Sequence, residues 1–357
     1  MVSPRLELEL NLTPSQRFDL IDVNDQVTRE FGDVLTQYRK ALYHSYHTTA
    51  GYFEQSLCED LDYSRDMISK VFNCFQALFP PDADYQHDCL ELRKELSAEQ
   101  KLIEPRNADS HLTFIGAGLM NCVTYENQPA LPVFFVDLDG VYGMTTRSRH
   151  TTVIGYNREE TVQEIWREIP MSRHAIDSVS LRDPRLGLFE ELEDLIQARE
   201  VVKGRVDIYL DTGELQTGLT VNEYETLLMK NDLVEVLRNP LKFMAETGRR
   251  IFREPRSIPG KALNYAKYDL VRVVNEVVDA LGLTESFVER ILDKFLAVPA
   301  ERFLWMKRSL SLLISDEQED RDSSIVHGKF QSPILIQWNH PHNNATRRIW
   351  IRLVRFV

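Results

Sequence analysis

Leu6, Leu8, Leu10 and Leu12 fall at every second position, with polar residues between them. A period of two belongs to a strand with one dry and one wet face, and it does not fit the 3.6-residue turn of a helix. Strand-like segments recur at 18–23, 41–47, 112–119, 132–138, 151–155, 205–210, 333–338 and 348–354. The turn signal Asp139-Gly140 precedes the return at 151–155.

The chain has 357 residues, 43% hydrophobic and 27% charged, enough for two domains or one domain with a large insertion. A formal charge of −13 argues against nucleic acid, whose binders need a basic stripe, and Arg249-Arg250 and Arg347-Arg348 are too short to supply one. No apolar run approaches the ~20 residues of a membrane span. Cys58, Cys74, Cys89 and Cys122 form no CxxC pair and read as free buried thiols. The first residues lack a basic and then apolar leader. The expectation is a cytoplasmic protein with neither a membrane nor a nucleic-acid partner.

Helical spacing marks 24–38, 58–79, 90–99 and 186–202. Thr161-Val162-Gln163-Glu164 and Thr220-Val221-Asn222-Glu223 fit the capping box that opens a helix. The stretch 261–314 reads as three helices broken at Gly282 and Pro299, with Leu270, Val273, Val277, Phe287, Ile291, Phe295, Phe303 and Leu310 as core candidates. An acidic linker (316–322) and a polar hairpin loop (339–346) follow. No period of 20–50 residues marks a solenoid.

Three histidines stand in short polar frames: His47-Thr48-Thr49-Ala50-Gly51, Tyr85-Gln86-His87-Asp88 and Asn107-Ala108-Asp109-Ser110-His111. Imidazole serves both as a neutral metal ligand and as an acid or base near neutral pH. On a regular strand over 41–47, His44 and His47 point to opposite faces and cannot share one ion.

In order and content these frames resemble the YjbQ family, some of whose members are described as secondary thiamine-phosphate synthases. Phe134-Phe135-Val136-Asp137-Leu138-Asp139-Gly140, Arg147 with Arg149, and Val153-Ile154-Gly155 resemble the family's closing hairpin. The resemblance covers about residues 5–157. Three departures stand out. About ten extra residues separate His87 from His111. The acidic "N-E" after HTTA has only Glu54-Gln55 as its counterpart, at a shifted spacing. Gln128-Pro129-Ala130-Leu131-Pro132 replaces the family's "G-T-W-Q-G". A second match to the closing hairpin runs from His327-Gly328-Lys329-Phe330-Gln331 through Trp338 to Arg347-Arg348-Ile349.

The expected fold is therefore α+β: a YjbQ-like antiparallel β-sandwich with flanking helices, plus a mainly helical second region. The expected division is 1–157, 158–325 as a helical accessory or insertion, and 326–357 as a C-terminal hairpin that either completes the first domain or belongs elsewhere. Three neutral imidazoles suit a divalent metal, zinc-type or magnesium, on His47, His87 and His111. His47, Asp88 and His111 would carry the chemistry, and Thr48, Thr49, Arg147 and Arg149 would bind a small phosphorylated molecule. The resemblance implies a homo-oligomer, a trimer, and a thiamine-phosphate-synthase-type transfer with loss of pyrophosphate. The rival reading is a non-catalytic ligand-binding or protein-interaction module on a degenerate YjbQ-like domain. It draws on the missing "N-E" and "G-T-W-Q-G". Singly, each residue also has a bland role: Asp88 as a helix cap, Thr48 and Thr49 as β-formers, the arginines as a solvated face.

Overall fold

In the computed structural model the described residues are 5–94, 96–239, 242–243, 304–316, 323–338 and 346–357. The helices expected between 261 and 303, the acidic linker beyond 316 and the polar loop at 339–345 lie outside them. Two compact units emerge: Met1–Gln55, Gly118–Tyr224 and Met306–Val357 form the first, and Ser56–Ala117 with Glu225–Trp305 the second.

Antiparallel sheets build the first unit. In chain order its strands are β1 (Arg5–Leu12), β2 (Asp19–Asp22), β3 (Lys40–Ser45), β4 (Ala50–Gly51), β5 (Cys122–Glu126), β6 (Phe134–Asp137), β7 (Val141–Tyr142), β8 (Thr145–Thr146) and β9 (Arg149–Tyr156). They continue with β10 (Glu159–Pro170), β11 (Asp177–Ser180), β12 (Gly204–Leu210), β13 (Thr217–Asn222), β14 (Ser309–Ser315), β15 (Ser324–Val326), β16 (Ser332–Gln337) and β17 (Thr346–Phe356). The fold is α+β. The alternating leucines behave as expected: Leu8, Leu10 and Leu12 are buried on one face of β1.

The strand order repeats. The order β1-β9-β3-β5 in one half is matched by β10-β17-β12-β14 in the other, and β2-β6-β4 by β11-β16-β13. The register repeats too. Asp137 lies opposite Asp19 and Ala50, and Gln337 lies opposite Asp177 and Thr217. Loop hydrogen bonds recur at the same places. Ser45 N donates to Asn121 O (2.7 Å) as Leu210 N does to Arg308 O (2.9 Å). Leu138 N donates to Thr49 O (3.0 Å) as Trp338 N does to Gln216 O (2.9 Å). The first unit thus contains one fold twice, with a repeat length far beyond any solenoid period. The halves share a core of Leu42, Cys122, Ile154 and Tyr156 with Leu313, Val326, Val354 and Phe356, in which the Tyr156 and Phe356 rings stack 4.0 Å apart.

Among the described residues the repeat revises the expectation of a mainly helical second region. Both capping boxes lie on strands, Thr161 to Glu164 in β10 and Thr220 to Asn222 in β13, and Leu310 packs from β14. Thr, Val and Ile suit a pleated surface, and a Thr-x-x-Glu spacing carries no helical information when its neighbours are β-formers. The reverse error occurs at 112–119. The helix Ala108–Gly116 takes its first five residues, all nine helical residues being buried, and a run apolar but for Thr113 has no period to separate helix from strand. The long helix expected at 58–79 is two, Gln55–Asp60 and Arg65–Leu78, and the second starts at a Ser64 cap on Met67 N. At 90–99 the chain makes turns, and a helix with a Ser97–Gln100 capping box follows at Ala98–Ile103.

Candidate functional site

In the second unit, two segments bring His87 and His111 together. His87 sits in a tight turn closed by Cys89 N to Gln86 O (3.0 Å). His111 projects from the buried helix Ala108–Gly116. Asp88 ties the two, its Oδ1 accepting from Ala108 N at the start of that helix (3.0 Å). This is the capping role of an aspartate, at a helix N-terminus where a negative charge is favoured. The imidazoles are each 1% exposed and meet edge to face with centroids 5.2 Å apart. One ring nitrogen of each lies within 4.8 Å of the other.

Two carboxylates of the same unit set His87 in place. Asp232 accepts both Gln86 N (2.8 Å) and His87 N (2.9 Å). Burial pushes its carboxyl up to about 6, against the pull of those two amides. Glu225 accepts Leu227 N and Leu228 N and lies 3.0 Å from His87 Nδ1. Burial raises the Glu225 carboxyl, but the bonds from His87, Leu227 and Leu228 outweigh it and leave the group below its ordinary value. An ionised Glu225 accepts the Nδ1 proton of His87 and so fixes the ring as the tautomer whose lone pair is on Nε2.

His47 belongs to the first unit. It lies just past β3, and its Nε2 accepts His150 N (2.8 Å). A neutral ring accepting at Nε2 carries its proton on Nδ1. Burial, with Arg149, His150 and Arg147 nearby, holds its pKa at about 3. Arg149 is a buried clasp: Nε and Nη2 grip the two Asp137 carboxylate oxygens at 2.7 Å each, and Nη2 also donates to Asp139 O (2.8 Å) and reaches Thr49 Oγ1 at 3.5 Å. Arg147, about one-third exposed, pairs with Asp139 (2.8 Å). Thr48 O accepts Asn222 Nδ2 (2.9 Å).

Glu225, Asp232 and Asp137 were not singled out from the sequence. Asp137 carried a signal, since a carboxylate inside Phe-Phe-Val-Asp-Leu is a buried charge in need of a partner. Glu225 and Asp232 are acidic residues in a charged stretch, and only the fold brings them to His87.

No protein-family model matches the sequence, and no curated protein matches it. Solved structures of YjbQ-like proteins do. A YbjQ-like protein of unknown function from Sulfolobus solfataricus is 12% identical, over 56% of this chain and 99% of that one, with a TM-score of 0.28. A hypothetical protein from Aeropyrum pernix is 14% identical, over 54% and 98%, with a TM-score of 0.28. An uncharacterized protein of the yjbq/upf0047 family from Clostridium acetobutylicum is 10% identical, over 53% and 98%, with a TM-score of 0.24. Among the described residues no helix is long and apolar enough to cross a membrane.

Proposed function

We propose that His87 and His111, with Glu225 behind His87, bind a divalent metal ion and form the chemical centre of a YjbQ-like protein acting on a small phosphorylated molecule. The observation that carries this reading is the carboxylate–imidazole contact at 3.0 Å beside a second buried imidazole. Carboxylates stand behind ligating histidines in this way to fix the tautomer and raise ring basicity. The donor set fits: two imidazoles suit zinc-type ions better than magnesium, which prefers oxygen ligands. A bound ion would supply Lewis-acid polarisation of a phosphate oxygen. The chain's own residues do the rest. Glu225 retains the proton on His87 Nδ1, Asp232 fixes the turn through its two amides, and Asp88 holds that turn to the helix bearing His111.

A thiamine-phosphate-synthase-type transfer is the finer form of this proposal, and it rests on the sequence resemblance. Titration of metal-stripped protein with Zn²⁺ tests the coarser form. Wild type should bind one ion per chain, and Glu225→Gln should bind about 10–100-fold more weakly. A His87→Ala/His111→Ala double variant that binds Zn²⁺ as wild type does would falsify the site.

A further inference from the structure

The repeat in the first unit allows residue-by-residue comparison of its two halves around the His47 turn. His47 stands three residues before Ala50, which faces Asp137, and Glu214 stands three before Thr217, which faces Gln337. The equivalence extends to their carbonyls. Asn121 Nδ2 donates to His47 O, and Arg308 Nη1, from the matching position ahead of β14, donates to Glu214 O (2.7 Å). The arginines correspond as well. Ala41 faces Gly155 in the first half as Val206 faces Leu353 in the second, which sets Arg149 against Arg347.

The chemistry at these positions has been exchanged. Arg149 is neutralised by Asp137 through two bonds. Arg347 has only the neutral Gln337 on that strand, whose Oε1 accepts Nε at 3.2 Å. Its countercharge comes from Glu214, 2.9 Å from Nη1. The carboxylate has moved from the strand to the turn. A buried guanidinium needs one carboxylate, so the turn position can carry an imidazole only where the strand position is acidic. That is the first half.

The second half also supports the first. Gln331, 2% exposed, donates through Nε2 to Ser45 O (2.7 Å) and His47 O (3.0 Å), and Asn222, wholly buried, donates to Thr48 O (2.9 Å). The support is one-sided. The matching residues of the first half are Leu131, whose side chain has no donor, and Gln55, whose amide is spent on the backbone of Glu126.

We propose that the two halves are unequal copies of one corner: the second is closed by its own Glu214, and its Asn222 and Gln331 position the His47 turn of the first. The corner at His47 then presents an imidazole N–H, on Nδ1, next to the partly exposed Arg147.

Two measurements on the full chain test it. Asp137→Gln should lower the thermal midpoint by about 5–10 °C by depriving Arg149 of its carboxylate. Adding His47→Glu should recover at least half of that loss, because the pair recreates the arrangement around Arg347. Separately, Gln331→Ala and Asn222→Ala should each speed amide exchange at His150, the donor to His47, by about tenfold or more and shift the His47 ring nitrogen signals. Leu131→Ala, at the matching place in the first half, should leave both readouts unchanged. A double variant no more stable than Asp137→Gln alone overturns the exchange of roles. Unaltered His150 exchange and His47 signals in both amide variants overturn the positioning role, and Asn222→Ala decides it alone if Gln331→Ala does not fold.

Discussion

Glu214 stands in the second half of the first unit where His47 stands in the first half, each three residues before a strand and each with its carbonyl held by the side chain ahead of the next sheet strand. The backbone pattern has been kept while the side-chain chemistry has diverged. The histidine frame beginning at His47 therefore occurs once in the chain although its scaffold occurs twice.

Arg149 and Asp137 are a buried pair with both carboxylate oxygens engaged. Removing one partner leaves a buried charge, at a cost of about 3–5 kcal/mol. Arg149→Met should lose that much stability in denaturant unfolding at pH 7. Burial already raises the Asp137 carboxyl in wild type against the pull of Arg149. Without Arg149 it rises further, so the folded variant retains a proton that the unfolded chain releases and the gap from wild type should narrow toward pH 4. A pH-independent gap would contradict the pairing.

His44 is 2% exposed, and among the described residues neither of its ring nitrogens has a hydrogen-bond partner. Burial, reinforced by His327 and His150, holds its pKa at about 3. The unfolded chain protonates this ring near 6.5 while the folded chain resists, so its contribution is present above pH 6.5 and is lost as the pH falls toward 3. His44→Leu should be neutral or stabilising at pH 7, since it removes an unsatisfied buried donor. It should also flatten the acid limb of stability against pH by on the order of a few kcal/mol. An unchanged acid limb would show that the ring titrates normally.

Gly328 packs its backbone against Tyr46, and a Cβ there would overlap the Tyr46 carbonyl. That carbonyl is rigid main chain next to His47, so Gly328→Ala should destabilise by about 1–3 kcal/mol, as overpacking does. It should also disturb the His150 amide that bonds to His47. A fully stable variant with an unperturbed His150 signal would argue against this packing.

Much of the strand content was legible because its period is local. The alternation at 6–12 gave β1, and the segments at 205–210 and 333–338 gave β12 and β16 to within a residue. The helix bearing His111 was not legible, since its second half, apolar except for Thr113, is buried on every side and has no period. The repeat showed in the sequence only as the second match to the closing hairpin at 327–349, because elsewhere the halves share strand order and register rather than side chains: His47 answers to Glu214 and Asp137 to Gln337. Glu225 was obscured by the capping-box reading of Thr220 to Glu223, of which Thr220 to Asn222 lie on β13. A carboxylate's partner is a property of the fold, and nothing within three residues of Glu225 points to His87.

Metal content of the purified protein bears most directly on the proposed centre. Elemental analysis of wild type, His111→Ala and His47→Ala, prepared side by side, should show close to one transition-metal ion per chain in wild type and in His47→Ala, and almost none in His111→Ala. Equal metal in wild type and His111→Ala, or loss in His47→Ala alone, would contradict the account.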